Sequence, residues 1–297
     1  MNSAIIIENF SKSFGTQKAV DNLSLEVKEG EVMAFLGSNG SGKTTTIRCL
    51  LNIYSADEGK LLLDGMIYTS RLNHLLGYLP EERGIYTKAR VLDLFVYFAN
   101  LRGIKTQEAK RLALEYFQRV DLLPHQNKKI SQLSSGMQQK VQIGVTIIHK
   151  PKILILDEPF KGLDPLNRQL FIDLFGELNK NSGTTILYST HVVDEAQRIA
   201  DSVIIINNGK RVVYGNIDEV RNSFGSNHIQ LEFKGDLPEN TSLYSAVITH
   251  NTAELSPKPG VSSTEIINFL VKNNLEIIEF KIDRPSLNSI FLQTAKK

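Results

Sequence analysis

The sequence has little of several features that would assign a function at once. Cys49 is its only cysteine, which excludes an internal disulfide framework and any cysteine-based zinc cluster and fits a reducing cytosol. The 34 basic residues nearly balance the 32 acidic ones, so no strong basic field indicates a nucleic-acid partner. No apolar run approaches the roughly 18 residues needed to cross a bilayer. If the protein acts at a membrane, another chain must supply the membrane span.

The N-terminal part predicts an antiparallel β flank followed by a strand, a loop and a helix. With 297 residues, the chain is long enough for one large domain and one small domain. Strands are expected at residues 5–7, 23–27 and 60–63. No basic segment precedes the first of them, so we expect no signal peptide and a mature chain that begins near Met1. Val32 to Leu36 is continuously apolar, and glycine-rich sequence then leads into a helix from Thr44 to Leu51.

A helical insertion is expected over about residues 88–150. Apolar residues recur there at helical spacing and stop before Pro124; they are Ala109, Leu112, Ala113, Tyr116, Phe117 and Val120. Buried-type strands return at residues 153–156, 184–188 and 203–206, and Asn208-Gly209 predicts a tight hairpin. The fold class that follows is an α/β core with an antiparallel flank and a helical insertion.

The C-terminal segment predicts a small α+β domain. Polar, glycine-containing sequence at residues 222–227 indicates a linker, so we expect a first domain of residues 1–222 and a second of residues 223–297. Strands are expected near residues 229–233, 243–248 and 275–282, and helices at residues 264–271 and 287–293. Ser262 and Glu265 have capping-box spacing before the first of these helices.

A phosphate-binding loop is the clearest motif in the chain. Glycines let the backbone curl so that N–H groups point inward, and a helix start adds its positive dipole end. Lys43 is placed to reach the β- and γ-phosphates of a nucleotide, and the Thr44 hydroxyl to take a magnesium position. The alternative, a chance glycine-rich turn, is disfavoured by the strand before it and the helix after it. The motif residues are Gly37, Ser38, Asn39, Gly40, Ser41, Gly42, Lys43 and Thr44, with Thr45 next to them.

Two carboxylates end the apolar strand at residues 153–156. The carboxyl end of a buried strand is where open α/β sheets bind ligands. Asp157 is therefore a candidate magnesium ligand, and Glu158 a candidate for polarising the attacking water. Such a strand alone is weak evidence, because apolar strands often end in a solvated acid. Its position after a phosphate loop favours the catalytic interpretation.

Five further elements appear along the chain in a fixed order: Phe14, Leu79-Pro80-Glu81, Ser134 with Gly136, Gly162-Leu163-Asp164 and Thr190-His191. With them, residues 5–214 resemble the ATP-binding subunits of ABC transporters. The resemblance implies a P-loop NTPase fold of ABC type that binds ATP and Mg²⁺. It assigns Phe14 to stacking on adenine, with core packing as the alternative. It places Glu81, after Leu79-Pro80, in the loop that joins the nucleotide to the helical insertion, and it makes Glu81 a magnesium ligand. The other assigned residues are the signature residues Ser134 and Gly136, Asp164 of the loop that crosses between subunits, and His191, a γ-phosphate contact.

The chain departs from the family pattern at four of these places. Glu81 replaces a glutamine, Ser135 a signature glycine and Met137 the signature glutamine, while Lys161 stands where a small polar residue is common. Arg83 is expected to offset part of the Glu81 charge. The departures bear on hydrolysis rate more than on fold. With these residues and its C-terminal segment, the chain resembles the ATPase components of ABC-2 type exporters.

The resemblance implies a peripheral ATPase that works as a head-to-tail dimer, expected to be a homodimer, and drives a separate polytopic permease from the cytoplasmic side. Residues 92–98 are equally consistent with a groove for the permease and with ordinary core. One alternative function is a non-transport ABC ATPase, although neither a second cassette nor a long coiled coil is present. Another is a regulatory module that binds nucleotide but has lost hydrolysis. The retained Lys43, Asp157, Glu158 and His191 argue against that module.

Overall fold

The computed structural model describes residues 2–82, 84, 86–224 and 228–295. They form two compact units, Met1–Tyr214 and Gly215–Lys297. No helix in these described ranges has both the length and the apolar composition needed to cross a bilayer. The units divide after Tyr214 and not after Asn222, because the helix that contains Asn222 groups with the second unit. In that helix, Arg221 donates a hydrogen bond to the carbonyl oxygen of Pro285, 2.9 Å away.

The first unit begins with an antiparallel sheet and the first strand–loop–helix segment. Its elements are β1 (Ser3–Phe14), β2 (Gln17–Lys28), β3 (Val32–Gly37), α1 (Lys43–Leu50), β4 (Glu58–Leu63) and β5 (Leu76–Leu79), with a 3-10 helix at Ser70–His74. The antiparallel sheet has the order β2-β1-β4. The three predicted strands and the predicted helix lie within or next to these elements, which confirms the antiparallel flank.

The helical region and the remaining core strands follow. The elements are α2 (Val91–Leu101), α3 (Thr106–Arg119), α4 (Ser135–Ile147), β6 (Ile153–Asp157), α5 (Pro165–Ser182), β7 (Thr185–Thr190), α6 (Val193–Ile199), β8 (Ser202–Asn207) and β9 (Lys210–Asn216), with 3-10 helices at Leu123–His125 and Ile130–Gln132. The sheet order is β5-β6-β7-β3-β8-β9. The predicted α/β fold class is confirmed. β5, α5 and α6 were not predicted from the sequence.

The strands at the centre of the six-stranded sheet are buried along their whole length. β5, β6, β7, β3 and β8 pair in parallel, and every residue of β3, β6 and β7 is buried. Continuous apolar strands are typical of parallel sheets that are covered on both faces. One apolar core joins the antiparallel sheet, α1 and this parallel sheet. The carboxyl ends of the parallel strands therefore lie at one edge, where the loops leave the sheet.

The hairpin between β8 and β9 has the predicted two-residue turn. Asn208 and Gly209 both have positive φ, 48° and 77°. These values belong to the tight turn that matches the twist of paired strands, and they favour asparagine and glycine. The prediction made from Asn208-Gly209 is confirmed.

The described residues of the second unit form an antiparallel sheet and three helices. Its elements are α7 (Ile217–Ser223), β10 (His228–Lys234), β11 (Tyr244–Thr249), β12 (Thr252–Pro257), α8 (Ser263–Lys272), β13 (Glu276–Asp283) and α9 (Leu287–Ala295). The sheet order is β11-β12-β10-β13. The Ser262–Glu265 capping box is present, which confirms that prediction. The predicted linker is wrong at residues 222 and 223, which end α7; residues 225–227 lie outside the described ranges.

A glycine allows three helices of the insertion to pack closely. Gly144 in α4 faces the rings of Phe95 in α2 and Tyr116 in α3, and a Cβ there would overlap both rings. The Tyr116 hydroxyl donates to the carbonyl oxygen of Lys140, 2.6 Å away, and thereby joins α3 to α4. The close approach of these helices consequently depends on the missing side chain.

We expect Gly144→Ala to destabilise the protein by about 1–3 kcal/mol, because overpacking outweighs the higher helix propensity of alanine. Gly176→Ala is the matched control: Gly176 is also in a helix, and nothing lies within 4 Å of its would-be Cβ. That variant should gain about 0.5–1 kcal/mol. Urea unfolding of both full-length variants measures the difference, and equal stability of the two would contradict the packing argument.

Candidate nucleotide site

The phosphate loop lies between β3 and α1 and curves around an open cavity. The cavity has a volume of about 480 Å³, and it is lined by Asn39 to Thr45 of the loop together with Glu81 and Glu158. Gly42 ends the loop with φ +109° at the start of α1. The loop therefore presents backbone N–H groups and a helix N-terminus to the cavity, which is an anion-binding arrangement.

Two glycines let the loop lie against the backbone of β2. A Cβ on Gly42 would lie 2.7 Å from the carbonyl oxygen of Ala19, and so would a Cβ on Gly209 of the β8–β9 turn. The N–H of Gly209 donates to the carbonyl oxygen of Ser41, and the N–H of Asp21 to that of Gly209. The loop, the hairpin turn and β2 are thus held in contact through backbone groups.

Lys43 lies beneath the loop and is almost fully buried. Its Nζ donates to the carbonyl oxygens of Gly37, 2.7 Å away, and Ser38, 3.1 Å away, and lies 3.8 Å from Glu158 Oε1. Burial lowers the pKa of Lys43, and the carboxylates of Glu158, Asp157 and Glu81 oppose that effect. Gly37 and Ser38 are not among the described residues that line the cavity, and they contact Lys43 instead.

Asp157 ends β6 in a position suited to a metal ligand. Its Oδ1 accepts a hydrogen bond from the Ser189 hydroxyl at 2.5 Å, whereas its buried Oδ2 has no partner among the described residues. Burial raises the pKa of Asp157, and the hydroxyls of Ser189 and Thr44 lower it in part. The Thr44 hydroxyl therefore lies close to the Asp157 carboxylate.

These oxygen donors fit Mg²⁺ when a nucleotide completes the set. Among the described residues, no group of three histidine, cysteine, aspartate or glutamate side chains could hold a metal alone. Mg²⁺ characteristically binds one or two carboxylates together with substrate phosphates and water. Thr44, Asp157 and Glu81, all close to the cavity, are donors of the kind that this pattern uses.

Glu158 is turned toward two cationic or polar partners. It has a positive φ of 50°, which is uncommon for a residue with a side chain. Its carboxylate lies 2.9 Å from Nδ1 of His191 and 3.8 Å from Nζ of Lys43. The three residues predicted to be catalytic are therefore in one place, although they come from the start of α1 and from the ends of β6 and β7.

Ser189 is a site residue that the sequence analysis missed. Besides donating to Asp157, its hydroxyl accepts a hydrogen bond from the backbone N–H of Glu158 at 3.0 Å, and its side chain is fully buried. β6 and β7 pair with Asp157 opposite Ser189. Its position in the sequence could have indicated this role. Ser189 lies two residues before His191, on a strand expected to belong to the same sheet as the strand that ends in Asp157.

Phe14 and Glu81 have different relations to the cavity. Phe14 is 48% exposed and packs edge-on against Tyr54, so it is not a core residue; its contact with adenine stays a prediction. Glu81 lines the cavity, and its Oε1 lies 2.7 Å from Nζ of Lys161. Arg83, the residue expected to offset the Glu81 charge, lies outside the described residues.

Ser134, Gly136 and Asp164 lie apart from the loop that precedes α1. Ser134 is the N-cap of α4, and its side chain accepts a hydrogen bond from the N–H of Met137 at 3.3 Å. Asp164 is the N-cap of α5, and the N–H of Asn167 lowers the pKa of its carboxyl. None of the three is among the described residues that line the cavity. Both helix starts face solvent, since Ser134 and Asp164 are exposed.

A phosphate loop beside an acid-tipped parallel strand and a histidine defines the nucleotide site of a P-loop ATPase. Residues 20–161 match the model of the family described as "ABC transporter", and residues 215–295 match the model described as "ATP-binding protein DrrA1-3-like, C-terminal domain". The two matches lie in the first and second units respectively.

Individual relatives and a solved structure agree with these family matches. An uncharacterized ABC transporter ATP-binding protein of Bacillus subtilis, YhaQ, is 36% identical over 97% of both chains. The daunorubicin resistance ATP-binding protein DrrA3 of Streptomyces coeruleorubidus is 28% identical over 98% of this chain and 95% of its own. A solved ATP-binding subunit of an ABC transporter has a TM-score of 0.69 and 27% identity, covering 75% of this chain and 93% of that one.

The chain belongs to the family of ABC transporter ATP-binding proteins. It is an ATP-binding and ATP-hydrolysing subunit of a transporter, which confirms the function predicted from the sequence.

We expect Ser189→Ala to slow ATP hydrolysis by about tenfold or more, because a hydrogen bond to a charged group contributes about 1.5–3 kcal/mol. Loss of the donor raises the pKa of Asp157 further, so the acidic limb of the rate profile should move to higher pH. Ser202→Ala is the matched control, since the Ser202 hydroxyl is buried in β8 without a partner among the described residues. Steady-state ATPase rates between pH 5 and 9 measure both effects. Identical profiles for the two variants would remove Ser189 from the site.

Proposed function

We propose that this chain hydrolyses ATP between two copies of itself and thereby drives a separate membrane permease of the exporter type. The observation that carries the proposal is the division of the predicted nucleotide contacts. Lys43, Glu158 and His191 cluster around the cavity, whereas Ser134 and Gly136 lie on an exposed helix start away from it. A second subunit is needed to bring the two parts together.

The chemistry assigned to the clustered residues is phosphoryl transfer to water. The loop N–H groups and Lys43 bind the β- and γ-phosphates, where positive charge stabilises the transferring group. Glu158 polarises the attacking water, and His191 holds that carboxylate and contacts the γ-phosphate. Thr44 and Asp157, with Glu81 beside them, would hold Mg²⁺, and the bound ion would further neutralise phosphate charge.

The dimer is proposed to form through the exposed helix starts of α4 and α5. Cassettes of this family form dimers. The N-terminus of the 13-residue helix α4 offers free N–H groups and a positive dipole end to a phosphate across the interface. Leu166, two residues after Asp164, is 84% exposed and lies at the surface beside the same helix start. Identical halves make a homodimer the simplest closed arrangement.

The permease is proposed to dock beside α2. Leu94 and Phe95 in α2 are buried core, whereas Tyr97 is 49% exposed, so residues 92–98 contain both core side chains and an exposed aromatic side chain. Tyr86 packs edge-on against Tyr97 with ring centroids 6.3 Å apart. A neighbouring cavity of about 200 Å³ is lined by Pro80 and Phe98 among others, next to Glu81 in sequence.

The relatives support a proposal for the direction and the place of action. DrrA3 is named for daunorubicin resistance, and its similarity to this chain extends through the second unit. Resistance through a transporter requires removal of the compound, so we propose export. The chain then lies on the cytoplasmic side of the membrane, where ATP is available, and is attached through its permease.

We expect Glu158→Gln to bind ATP with Mg²⁺, to hydrolyse it at least 100-fold more slowly, and to accumulate as an ATP-bound dimer. Lys43→Ala should fail to form that dimer because its phosphate contact is lost. Glu177→Gln is the control, since Glu177 pairs with Arg119 at the surface away from the cavity. Size-exclusion chromatography with light scattering and an ATPase assay report both properties. Only monomeric Glu158→Gln at saturating ATP, alone and with its permease, would contradict the dimer mechanism.

We expect Tyr97→Ser to lose the permease while retaining the basal ATPase rate, because the side chain projects from α2 outside the nucleotide cavity. Ile67→Ser is the matched control, since Ile67 is also an exposed apolar residue, 63% accessible, but follows β4. The tagged chain and each variant are purified from detergent-solubilised membranes, and a bound integral membrane protein is quantified. Equal recovery with both variants would place the docking surface elsewhere.

A further inference from the structure

We propose that Lys161 is the counter-ion of Glu81, and that this ion pair sets the magnesium dependence of nucleotide binding. The inference rests on the proposed Mg²⁺–ATP site and deepens it. It concerns two of the four positions at which the chain departs from the family pattern. An amide and a small polar residue are replaced there by two opposite charges.

The ion pair lies at the rim of the nucleotide cavity. Nζ of Lys161 is 2.7 Å from Oε1 of Glu81, and the two side chains are 61% and 34% exposed. Glu81 lines the cavity together with Lys43 and Glu158. A charge at this point is therefore placed to act on phosphate and on a cation bound there.

The charge of Glu81 already acts on other residues of the site. Its carboxylate raises the pKa of Asp157, as like charges do, although burial of Asp157 contributes more. It also favours the protonated form of Lys43, against the larger effect of burial on the pKa of that lysine. Glu81 thus belongs electrostatically to the group that contains the candidate magnesium ligand.

The backbone brings the two loops together at the sheet edge. β5 and β6 pair in parallel with Leu79 opposite Leu156, so the loops that carry Glu81 and Lys161 leave the same edge. The N–H of Lys161 donates to the carbonyl oxygen of Glu158 at 3.2 Å. The ion pair therefore links the loop beside the proposed permease groove to the loop that leads to Asp164.

The charge balance explains why a lysine is useful at position 161. Without it, three carboxylates, those of Glu81, Asp157 and Glu158, act on Lys43 beside the cavity. Such a site repels the phosphates of a metal-free nucleotide and attracts Mg²⁺ strongly. With Lys161 present, Mg²⁺ must compete for the Glu81 carboxylate, and nucleotide binding in the absence of metal is less unfavourable.

The test measures binding of a fluorescent, non-hydrolysable ATP analogue while Mg²⁺ is titrated. We expect Lys161→Ser to weaken binding in EDTA by about threefold to fivefold, and to lower the Mg²⁺ concentration for half-maximal binding by a similar factor, as suits a partly exposed pair. Glu81→Gln should raise that concentration. In the Glu81→Gln background, adding Lys161→Ser should change the Mg²⁺ concentration for half-maximal binding by less than about twofold.

Lys152→Ser is the matched control. Lys152 also bridges carboxylates, those of Glu29 and Asp64, but it is not among the described residues that line the cavity. It should leave the titration unchanged. Equal shifts from Lys161→Ser in both backgrounds, or no shift in either, would overturn the proposal for Lys161. Absence of magnesium-dependent binding by the unmodified chain would instead overturn the proposed function, so the two failures are distinguishable.

Discussion

The site depends on the hydrogen bonds that Ser189 makes between two neighbouring parallel strands. Its hydroxyl donates to Asp157 and accepts from the N–H of Glu158, so one buried group positions both carboxylates. The bond offsets part of the cost of burying the charge of Asp157. The other carboxylate oxygen has no hydrogen-bond partner among the described residues and is available to a ligand. If the register of β6 against β7 shifted by one residue, both acids would lose their orientation.

Much of this arrangement follows from local sequence, because the motif residues lie where strands end. Gly37 to Thr44, Asp157, Glu158 and His191 are short-range features, and parallel strands of one sheet bring them to the same edge. The hairpin at Asn208-Gly209 is also a local feature, because its positive φ values favour asparagine and glycine. The helix at α3 has a clear apolar stripe, and it too was predictable.

What the sequence alone did not yield depends on contacts between distant segments. Lys161 pairs with Glu81 across 80 residues of chain, and nothing in either local pattern indicates the other. Arg83 was the nearer charge in sequence and therefore the natural expectation. The helix at residues 165–182 was not predicted, although Asp164 and Pro165 form a typical helix start. The motif that ends at Asp164 was interpreted only as the loop that crosses between subunits. The domain division was placed late because α7 has no signal that assigns it to the second unit.

The backbone contacts around Ala19 have a mechanical consequence. Its carbonyl oxygen is approached by two glycines, one at the end of the phosphate loop and one in the β8–β9 turn, with no space for a side chain at either. In this half of the site the backbone segments are consequently packed directly against one another, and their separation is fixed. Glu81, Lys161, Ser134 and Asp164, by contrast, lie on loops or at exposed helix starts. Nucleotide binding and hydrolysis are therefore expected to move this second half, which carries the residues proposed to contact the other subunits.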